Sequence, residues 1–290
     1  MMQKETMFSH LCGIFIALIW GTTFLVSKSL LTVFTPIQVM ILRFFLAYVM
    51  LWILYPRWEF DWKNDFSFFL MSLFGNTLYY LAENSALTYT YSSNVSILVS
   101  AAPVCTAVLA LFLRPTEKPS RSQLTGIAVA FLGMVLVVLN GSLILHMSPL
   151  GDLLSLGAAF CWGIYSVLLA RYANRFSSFF LSRKLMFYGL VTSLGIWKLQ
   201  GDPFPIGQLF SQPALGAGIL FLGLVGSALC YIAWNKACAG LGIITANMYI
   251  YLIPFVTLAA GAMLLGEPIT FMAVIGAVLI SAGLLLGARK

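Results

Sequence analysis

One apolar stretch of the chain carries four polar side chains that would share a single helical face. In order they lie at i, i+4, i+7 and i+8, and they are Asn76, Tyr80, Glu83 and Asn84. This spacing stacks side chains along one side of a helix. Of the nine acidic residues, only Glu83 lies inside an apolar run, where an ionisable group needs a partner or a wet cavity. We therefore expect a polar ligand at this face; the alternative is hydrogen bonding between helices.

Arg43 supplies the opposite charge at a similar depth in the preceding apolar run. It lies about seven residues into its run, and Glu83 lies about four residues from the end of the next, roughly 10 Å and 6 Å below the same boundary. We predict that Arg43 and Glu83 pair, or exchange partners with a zwitterionic ligand. The alternative is that Arg43 extends to the lipid headgroups. Glu83 is also a candidate carrier of a coupling proton.

Aromatic, hydroxyl and amide side chains in other runs complete the candidate ligand site. Trp20 and Trp162 lie too deep in their runs for interfacial anchors, and Tyr165 lies one turn from Trp162. Plain packing is the alternative for these rings. The residues predicted to contact the ligand are Trp20, Asn76, Tyr80, Glu83, Asn84, Ser96, Ser100, Trp162, Tyr165, Tyr231, Trp234, Asn235, Asn247 and Tyr251.

Two prolines follow short polar stripes inside apolar runs. Pro103 lies in the fourth run and Pro254 in the ninth. A proline frees a carbonyl one turn earlier and kinks the helix. We predict that both prolines act as hinges; a static bend is the alternative.

The composition predicts the elements that position these residues. Hydrophobic residues make up 61% of the chain and charged residues 9%, whereas soluble domains carry about 25% charged residues. A water-facing surface cannot be built from so few charges, and about 20 residues cross a bilayer. The predicted fold is an all-α polytopic membrane protein with ten transmembrane helices. The runs are Phe8–Val26, Pro36–Tyr55, Phe66–Leu87, Ser93–Leu113, Gln123–Asn140, Leu153–Tyr172, Phe179–Trp197, Pro213–Trp234, Ile243–Leu265 and Ile269–Gly287.

The basic residues predict the orientation of these runs. In a soluble protein the net charge of +7 would suggest nucleic acid, but here the cations lie between apolar runs. With a cytoplasmic N-terminus, only Lys28 and Lys198 fall in outside loops, and every inside segment carries Lys or Arg. This bias is the positive-inside pattern, so both termini are predicted to be cytoplasmic. The inside residues are Lys4, Arg57, Lys63, Arg114, Lys118, Arg121, Arg171, Arg175, Lys236, Arg289 and Lys290.

The two halves of the chain repeat each other. When the chain is shifted by 151 residues, the superposed pairs are Gly75 on Gly226, Leu78 on Leu229, Tyr80 on Tyr231, Ala82 on Ala233, Asn84 on Asn235, Ala86 on Ala237 and Pro103 on Pro254. With a shift shorter by one residue they are Glu117 on Glu267, Gly126 on Gly276 and Gly133 on Gly283. Each half has five runs, an odd number, so the halves must enter the membrane in opposite directions. This inverted repeat is characteristic of secondary transporters. The predicted repeats are residues 1–145 and 146–290.

The repeated pattern also resembles a known family. Each half has Trp-Gly in its first run, a Tyr- and Ala-rich third run, a Pro in the fourth, a Glu at its end and Gly-x6-Gly in the fifth. This pattern is similar to the EamA-type branch of the drug/metabolite transporter superfamily, over nearly the whole chain. The first half departs from it at Arg114–Glu117, where the family usually has a small residue before the Glu. The resemblance implies ten helices in two five-helix repeats and export of amino acids or other small metabolites.

The expected function is secondary transport: export of a small metabolite, an amino acid or similar zwitterion, by alternating access around a central cavity. The alternatives are efflux of organic cations or drugs by proton antiport and, in a different class, a membrane scaffold without transport. The sequence has no His-Glu-x-x-His and no Gly-x-Ser-x-Gly, so no enzyme is predicted.

The expected partners and location follow from the same reading. The partners are the small-molecule substrate, the lipid bilayer and protons as a candidate coupling ion; no cofactor, metal or nucleic acid is expected. The expected location is a bacterial cell (inner) membrane.

Overall fold

The chain is mainly helical in the part that the computed structural model describes, residues 2–57, 59, 61–113, 118–139, 148–265 and 271–288. No β-strand occurs in these ranges. The α-helices are α1 Met2–Leu30, α2 Pro36–Leu54, α3 Asp65–Ser72, α4 Tyr79–Tyr89, α5 Ser92–Val99, α6 Ala102–Leu113, α7 Arg121–Leu139, α8 Pro149–Leu169, α9 Ser178–Gln200, α10 Gln208–Ser211, α11 Pro213–Leu220, α12 Cys230–Leu241, α13 Ile243–Met248, α14 Leu252–Leu265 and α15 Phe271–Ala288.

Capping residues set the ends of the second helix of each half. Thr35 precedes α2 and forms a capping box with Gln38, with Pro36 at the first helical position. Ser177 precedes α9, and its hydroxyl accepts a hydrogen bond from the amide of Phe180. Gly201 ends α9 with φ of 72°, the left-handed conformation in which glycine is favoured. These caps fix the depth of the charged residues on α2 and α9.

Five helical segments are long and apolar enough to cross a membrane. Among the described residues, helix occurs in each of the ten predicted runs, but segments 65–89 and 178–200 carry polar side chains that lower their hydropathy, and three other helices are shorter. Many apolar side chains face outward, among them Phe112, Leu199 and Val278, as lipid-facing residues do. The chain is thus a polytopic membrane protein. The crossing segments are Glu5–Leu30, Pro36–Leu54, Asn94–Leu113, Pro149–Leu169 and Pro213–Leu241.

Two π-helical turns interrupt the third and eighth segments, a feature that the sequence pattern did not predict. One spans Leu73–Leu78 and joins α3 to α4; the other spans Phe221–Leu229 and joins α11 to α12. They include Gly75 and Gly226, which superpose in the repeat. A methyl carbon on Gly75 would lie 2.5 Å from the ring of Tyr165. Glycine therefore lets α8 approach this turn closely, and π-turns of this kind frequently mark functional sites.

Both predicted hinge prolines follow an interruption of the helix. Pro103 is the second residue of α6, after a break at residues 100–101. Pro254 is near the start of α14, and a 3-10 turn at Tyr249–Tyr251 precedes it. The breaks occupy equivalent places in the two halves. The structure thus has the bends, and motion about them stays a prediction.

The last helices of the two halves, α7 and α15, pack through glycines. A methyl carbon on Gly126 would lie 2.6 Å from the carbonyl oxygen of Gly283. One on Gly133 would lie 2.6 Å from that of Gly276. These glycines therefore permit close contact between the two helices. Glu117, Glu267 and the boundary at residues 145 and 146 lie outside the described residues.

Candidate functional site

Arg43 is buried at the contact between the two halves. Its side chain is 1% exposed, so it does not extend to the headgroups. Its Nε donates to Ser227 Oγ at 3.0 Å, and Nη2 donates to the Tyr80 hydroxyl at 3.2 Å. Its guanidinium carbon lies 4.0 Å from the centre of the Tyr80 ring, a cation–π distance. Arg43 therefore joins α2 and α4 of the first half to the second π-turn.

Glu83 is buried near Arg43. We call these two residues, together with Tyr79, Tyr80 and Ser227, the Arg43–Glu83 shell. Glu83 is 3% exposed, its carboxyl lies against Tyr79, and its charge interacts with that of Arg43. The two charges form no direct ion pair in the described part of the chain, because the guanidinium bonds Ser227 and Tyr80 instead. The structure thus brings the two predicted residues together without joining them. This arrangement leaves both charges available to a third group.

A group of aromatic rings lies beside the charges. Trp162 is at its centre: ring centroids of Trp20, Trp234, Tyr79 and Tyr165 lie 5.2, 5.1, 5.1 and 5.1 Å from it. These are ordinary edge-to-face and tilted aromatic contacts. The rings come from α1, α4, α8 and α12, two helices of each half. The predicted aromatic residues therefore meet between the halves, and we call this group the aromatic cluster.

Each π-turn accepts a hydrogen bond from the opposite half. The Tyr231 hydroxyl donates to the carbonyl of Gly75 at 2.9 Å, and Trp20 Nε1 donates to that of Gly226 at 3.0 Å. The two bonds are not images of each other, because Tyr80, the repeat partner of Tyr231, binds Arg43 instead. The turns are thus held by two different side chains.

Many predicted site residues keep a polar atom without a partner among the described residues. Buried polar atoms of this kind cost about 1–3 kcal/mol each, and native proteins leave few of them. Of the residues affected, only Ser27 lies outside the predicted set. The atoms are Ser27 Oγ, Arg43 Nη1, Asn76 Oδ1, Asn84 Nδ2 and Oδ1, Tyr165 Oη, Trp234 Nε1, Asn235 Oδ1 and Tyr251 Oη.

Asn76 and Asn235 are both oriented by α9. Asn76 Nδ2 donates to the carbonyl of Leu185 at 2.8 Å. Asn235 Nδ2 donates to Ser182 Oγ at 2.9 Å, and this hydroxyl donates its own proton to the carbonyl of Ser178. Because the acceptors fix both amide groups, the two Oδ1 atoms are the ones left free.

Asn247 differs, because its amide is fully used inside the protein. Its Oδ1 accepts from Trp162 Nε1 at 3.1 Å and from the hydroxyls of Thr106 and Ser166 at 3.2 and 3.4 Å. Its Nδ2 donates to Ser166 and to the carbonyl of Ile243. Asn247 therefore orients Trp162, which makes it a positioning residue in this conformation.

The two predicted serines lie at the end of α5, with Ser96 on the helix and Ser100 in the break that follows it. The Ser100 hydroxyl donates to the carbonyl of Ser96 at 2.6 Å, one turn back along that helix. Ser96 is buried as well. The Ser100 hydroxyl is therefore used by the backbone beside the break.

The whole chain matches one family. The model of the EamA-like transporter family matches residues 7–139 and again residues 149–288. The chain belongs to the EamA-like transporter family. This confirms the resemblance inferred from the repeated Trp-Gly, Pro and Gly-x6-Gly pattern.

Individual relatives of this EamA-like chain are transporters too. It is 27% identical to an "Uncharacterized transporter" of Archaeoglobus fulgidus, over 97% of this chain and 98% of that protein. It is 27% identical to a "Probable amino-acid metabolite efflux pump" of Salmonella typhimurium, over 94% and 92%. A solved crystal structure with 17% sequence identity superposes with a TM-score of 0.74 over 97% of this chain and 99% of that one, which shows a shared fold.

Two further charged residues of this EamA-like chain serve its structure. Arg183 donates to the carbonyls of Tyr55 and Arg57 at 2.8 and 2.6 Å and lies over the ring of Trp52. Lys184 forms an ion pair with Asp65 at 2.6 Å. Both tie the start of α9 to neighbouring segments and lie apart from the aromatic cluster.

Two site residues are missing from the predicted set. Tyr79 touches both Glu83 and Trp162, and Ser227 accepts from Arg43. Tyr79 lies four residues before Glu83, so helical spacing alone could have found it. Ser227 is the repeat partner of Asn76, and that match predicts it on the equivalent polar face of the eighth run.

Proposed function

We propose that this EamA-like transporter exports a small zwitterionic metabolite, an amino acid or a close analogue, by alternating access around the Arg43–Glu83 shell. One observation carries the proposal. A buried guanidinium and a buried carboxyl group share one shell without pairing, beside donors and acceptors that lack partners. A zwitterion supplies both missing charges: its carboxylate would bind Arg43, and its ammonium would bind Glu83 and Tyr79.

The proposal includes a topology. Ten crossings, with the halves at residues 1–145 and 146–290 inverted and both termini in the cytoplasm, account for the basic loops. The contacts of α7 with α15 support it, because exchanging the halves turns the Gly126–Gly283 contact into Gly276–Gly133. The membrane would be the inner membrane of a bacterium.

Alternating access follows from the burial of the shell. The charged and aromatic side chains are nearly inaccessible in this conformation, so cargo can reach them only if the halves separate. The breaks before Pro103 and Pro254 offer bends at matching depths for such a motion. The names of two relatives agree with this cargo class: the "Probable amino-acid metabolite efflux pump" and, in Streptantibioticus cattleyicolor, a "Probable terminal-alkyne amino-acid exporter" at 26% identity.

Counterflow in proteoliposomes tests the proposal. Vesicles with the purified protein are loaded with one unlabelled amino acid from a panel and offered the same labelled amino acid outside. We expect accumulation for at least one neutral amino acid, and none for its decarboxylated amine or its deaminated acid, because each lacks one of the two charges. Uptake of the amine alone would refute the proposal that the cargo is a zwitterion.

A second candidate function is proton-coupled efflux of organic cations. It is favoured by the aromatic rings of Tyr79 and Trp162 beside the carboxyl of Glu83, which suit cation–π recognition. The same assay separates the two functions, because a cation carrier would move the amine and respond to a pH gradient. Absence of flux for every solute would favour the non-transporting scaffold.

A further inference from the structure

A groove of about 790 Å³ lies outside the candidate site, between α1, α12 and the start of α9. Its walls are mainly apolar: Leu11 and Phe15 come from α1, Leu229 ends the second π-turn, and Ile232 comes from α12. Leu11 is 55% exposed and Phe8, nearer the end of the groove, is 52% exposed. The groove therefore opens sideways, toward the lipid that surrounds the helices.

A polar compartment of about 460 Å³ adjoins the groove near the start of α1. Glu5, Ser9, Asn174 and Lys236 line it. Phe8, Asn174, Lys236 and Ala239 also line the groove, so the two spaces share a wall. Lys236 and Cys12 both line the groove. Together the spaces form one amphipathic cleft, with a polar head and an apolar tail.

The length of this cleft matches the change from headgroup to hydrocarbon. Ten residues of α1 separate Glu5 in the head from Phe15 in the tail, which is about 15 Å along a helix. A water-soluble ligand would leave the apolar tail uncovered, and a hydrocarbon alone would leave the charges unmatched. A phospholipid covers both parts.

The two charges of the head narrow the choice of lipid. Among the described residues, neither Glu5 nor Lys236 forms an ion pair. A phosphate matches the ammonium of Lys236, and a primary ammonium on the headgroup matches the carboxylate of Glu5. A choline group has no N–H to donate, and a glycerol headgroup has no positive charge.

We infer that this cleft binds an aminophospholipid of the leaflet that faces the start of α1, with its phosphate at Lys236 and its ammonium at Glu5. This site is separate from the Arg43–Glu83 shell and does not depend on what the protein transports. Its function would be to hold α1 of the first half against α9 and α12 of the second.

Photocrosslinking of the full-length protein in nanodiscs tests the inference. Three probes carry a diazirine near the headgroup end of one acyl chain, on phosphatidylethanolamine, phosphatidylcholine or phosphatidylglycerol. Mass mapping of peptides follows. We expect the ethanolamine probe to label residues 8–15 and 229–239 more strongly than either other probe. Lys236→Gln should lower this labelling about fivefold, because one lysine near a lipid phosphate strengthens binding by about that factor.

Glu5→Gln should remove the preference for ethanolamine over choline while leaving labelling by the choline probe unchanged. Lys63→Gln, in the exposed connection between α2 and α3, is the matched control and should change nothing. Equal labelling by the ethanolamine and choline probes in the wild-type protein would overturn the inference. So would stronger labelling by the glycerol probe, no labelling of the cleft, or displacement of the probe by transported amino acid.

Discussion

The contact between α7 of the first half and α15 of the second is unchanged when the two halves are exchanged. The two segments that carry the candidate site, in contrast, differ in their side chains. Gly126 approaches Gly283 as Gly133 approaches Gly276, so exchanging the halves preserves these contacts. In the site, the repeat position of Glu83 is Trp234, and that of Asn76 is Ser227. The α7–α15 contact keeps the two-fold relation between the halves, and the candidate site does not.

The difference has a physical cause. Helices can approach through glycine only if both surfaces lack side chains, so the packing region must stay alike in both halves. A small zwitterion has no two-fold axis, so a site that binds it between the halves must present a different group on each side. We conclude that the departures from the repeat mark recognition and that the retained matches mark the scaffold.

The largest expected effect comes from the two arginines of α2 and α9. Arg43→Gln should lower the apparent affinity for cargo by about two orders of magnitude, since truncating a buried, hydrogen-bonded charge costs about 3 kcal/mol. Arg183→Gln should lower thermal stability instead, because the carbonyls of Tyr55 and Arg57 lose their donor. Counterflow measured against cargo concentration, with a melting curve for each variant, checks both.

Equal loss of affinity in the two arginine variants would contradict the separation of site from scaffold. A variant of Arg43 that melts far below the wild type would leave its affinity effect attributable to misfolding. Arg43→Lys covers that case: it keeps the charge, should fold, and should recover only part of the affinity because lysine lacks the planar fork.

The next effect tests the scaffold itself. Gly133→Ala and Gly283→Ala should each destabilise the protein by about 2 kcal/mol, because the added methyl meets backbone atoms of the facing helix at 2.6 Å. The two losses should be similar, because the positions are repeat partners. Melting temperatures of the detergent-purified variants check this, with Gly195→Ala, where nothing lies within 4 Å, as control. Clearly unequal losses would show that the packing is less symmetrical than the contacts indicate.

Much of the fold was predictable because a bilayer imposes simple rules. Apolar runs of fixed length predicted helices that the structure contains, for example α2 at Pro36–Leu54 for the run at residues 36–55. The π-turns were not predictable, because local hydropathy is the same for α- and π-helix. They depend on which distant side chains, here Trp20 and Tyr231, bind the released carbonyls.

The sequence predicted which buried polar residues lie near one another better than it predicted their contacts. Buried polar side chains are rare in an apolar sequence, so Arg43, Glu83 and Asn84 stood out. Which of them would pair could not be read from spacing, since it depends on the position of Ser227 in the other half. Asn247 shows the same limit. As a polar residue in an apolar run it was predicted to contact the ligand, but in the structure it orients Trp162 through a hydrogen bond.

Glu83→Gln tests whether the carboxylate of Glu83 binds cargo, in contrast to Trp234, the uncharged residue at its repeat position. Loss of a charge-assisted hydrogen bond to the cargo ammonium should reduce affinity about tenfold. Wild-type counterflow should fall as the pH is lowered, because protonation of Glu83 removes the negative charge. The variant should resemble the wild type at low pH and show no such dependence. Trp234→Phe, at the repeat position, is the control and should keep the pH dependence; its loss there would mean that another group titrates.

The smallest effect compares the repeated tyrosines. Tyr231→Phe leaves the Gly75 carbonyl in the first π-turn without its donor, which should cost about 1 kcal/mol and lower Tm by about 2–4 °C. Its affinity for cargo should stay close to that of the wild type. Tyr80→Phe removes a hydroxyl that accepts from Arg43 Nη2 and should act mainly on affinity. If both variants change only Tm, Tyr80 belongs with the scaffold, and recognition is confined to Arg43, Glu83 and the unpartnered amides.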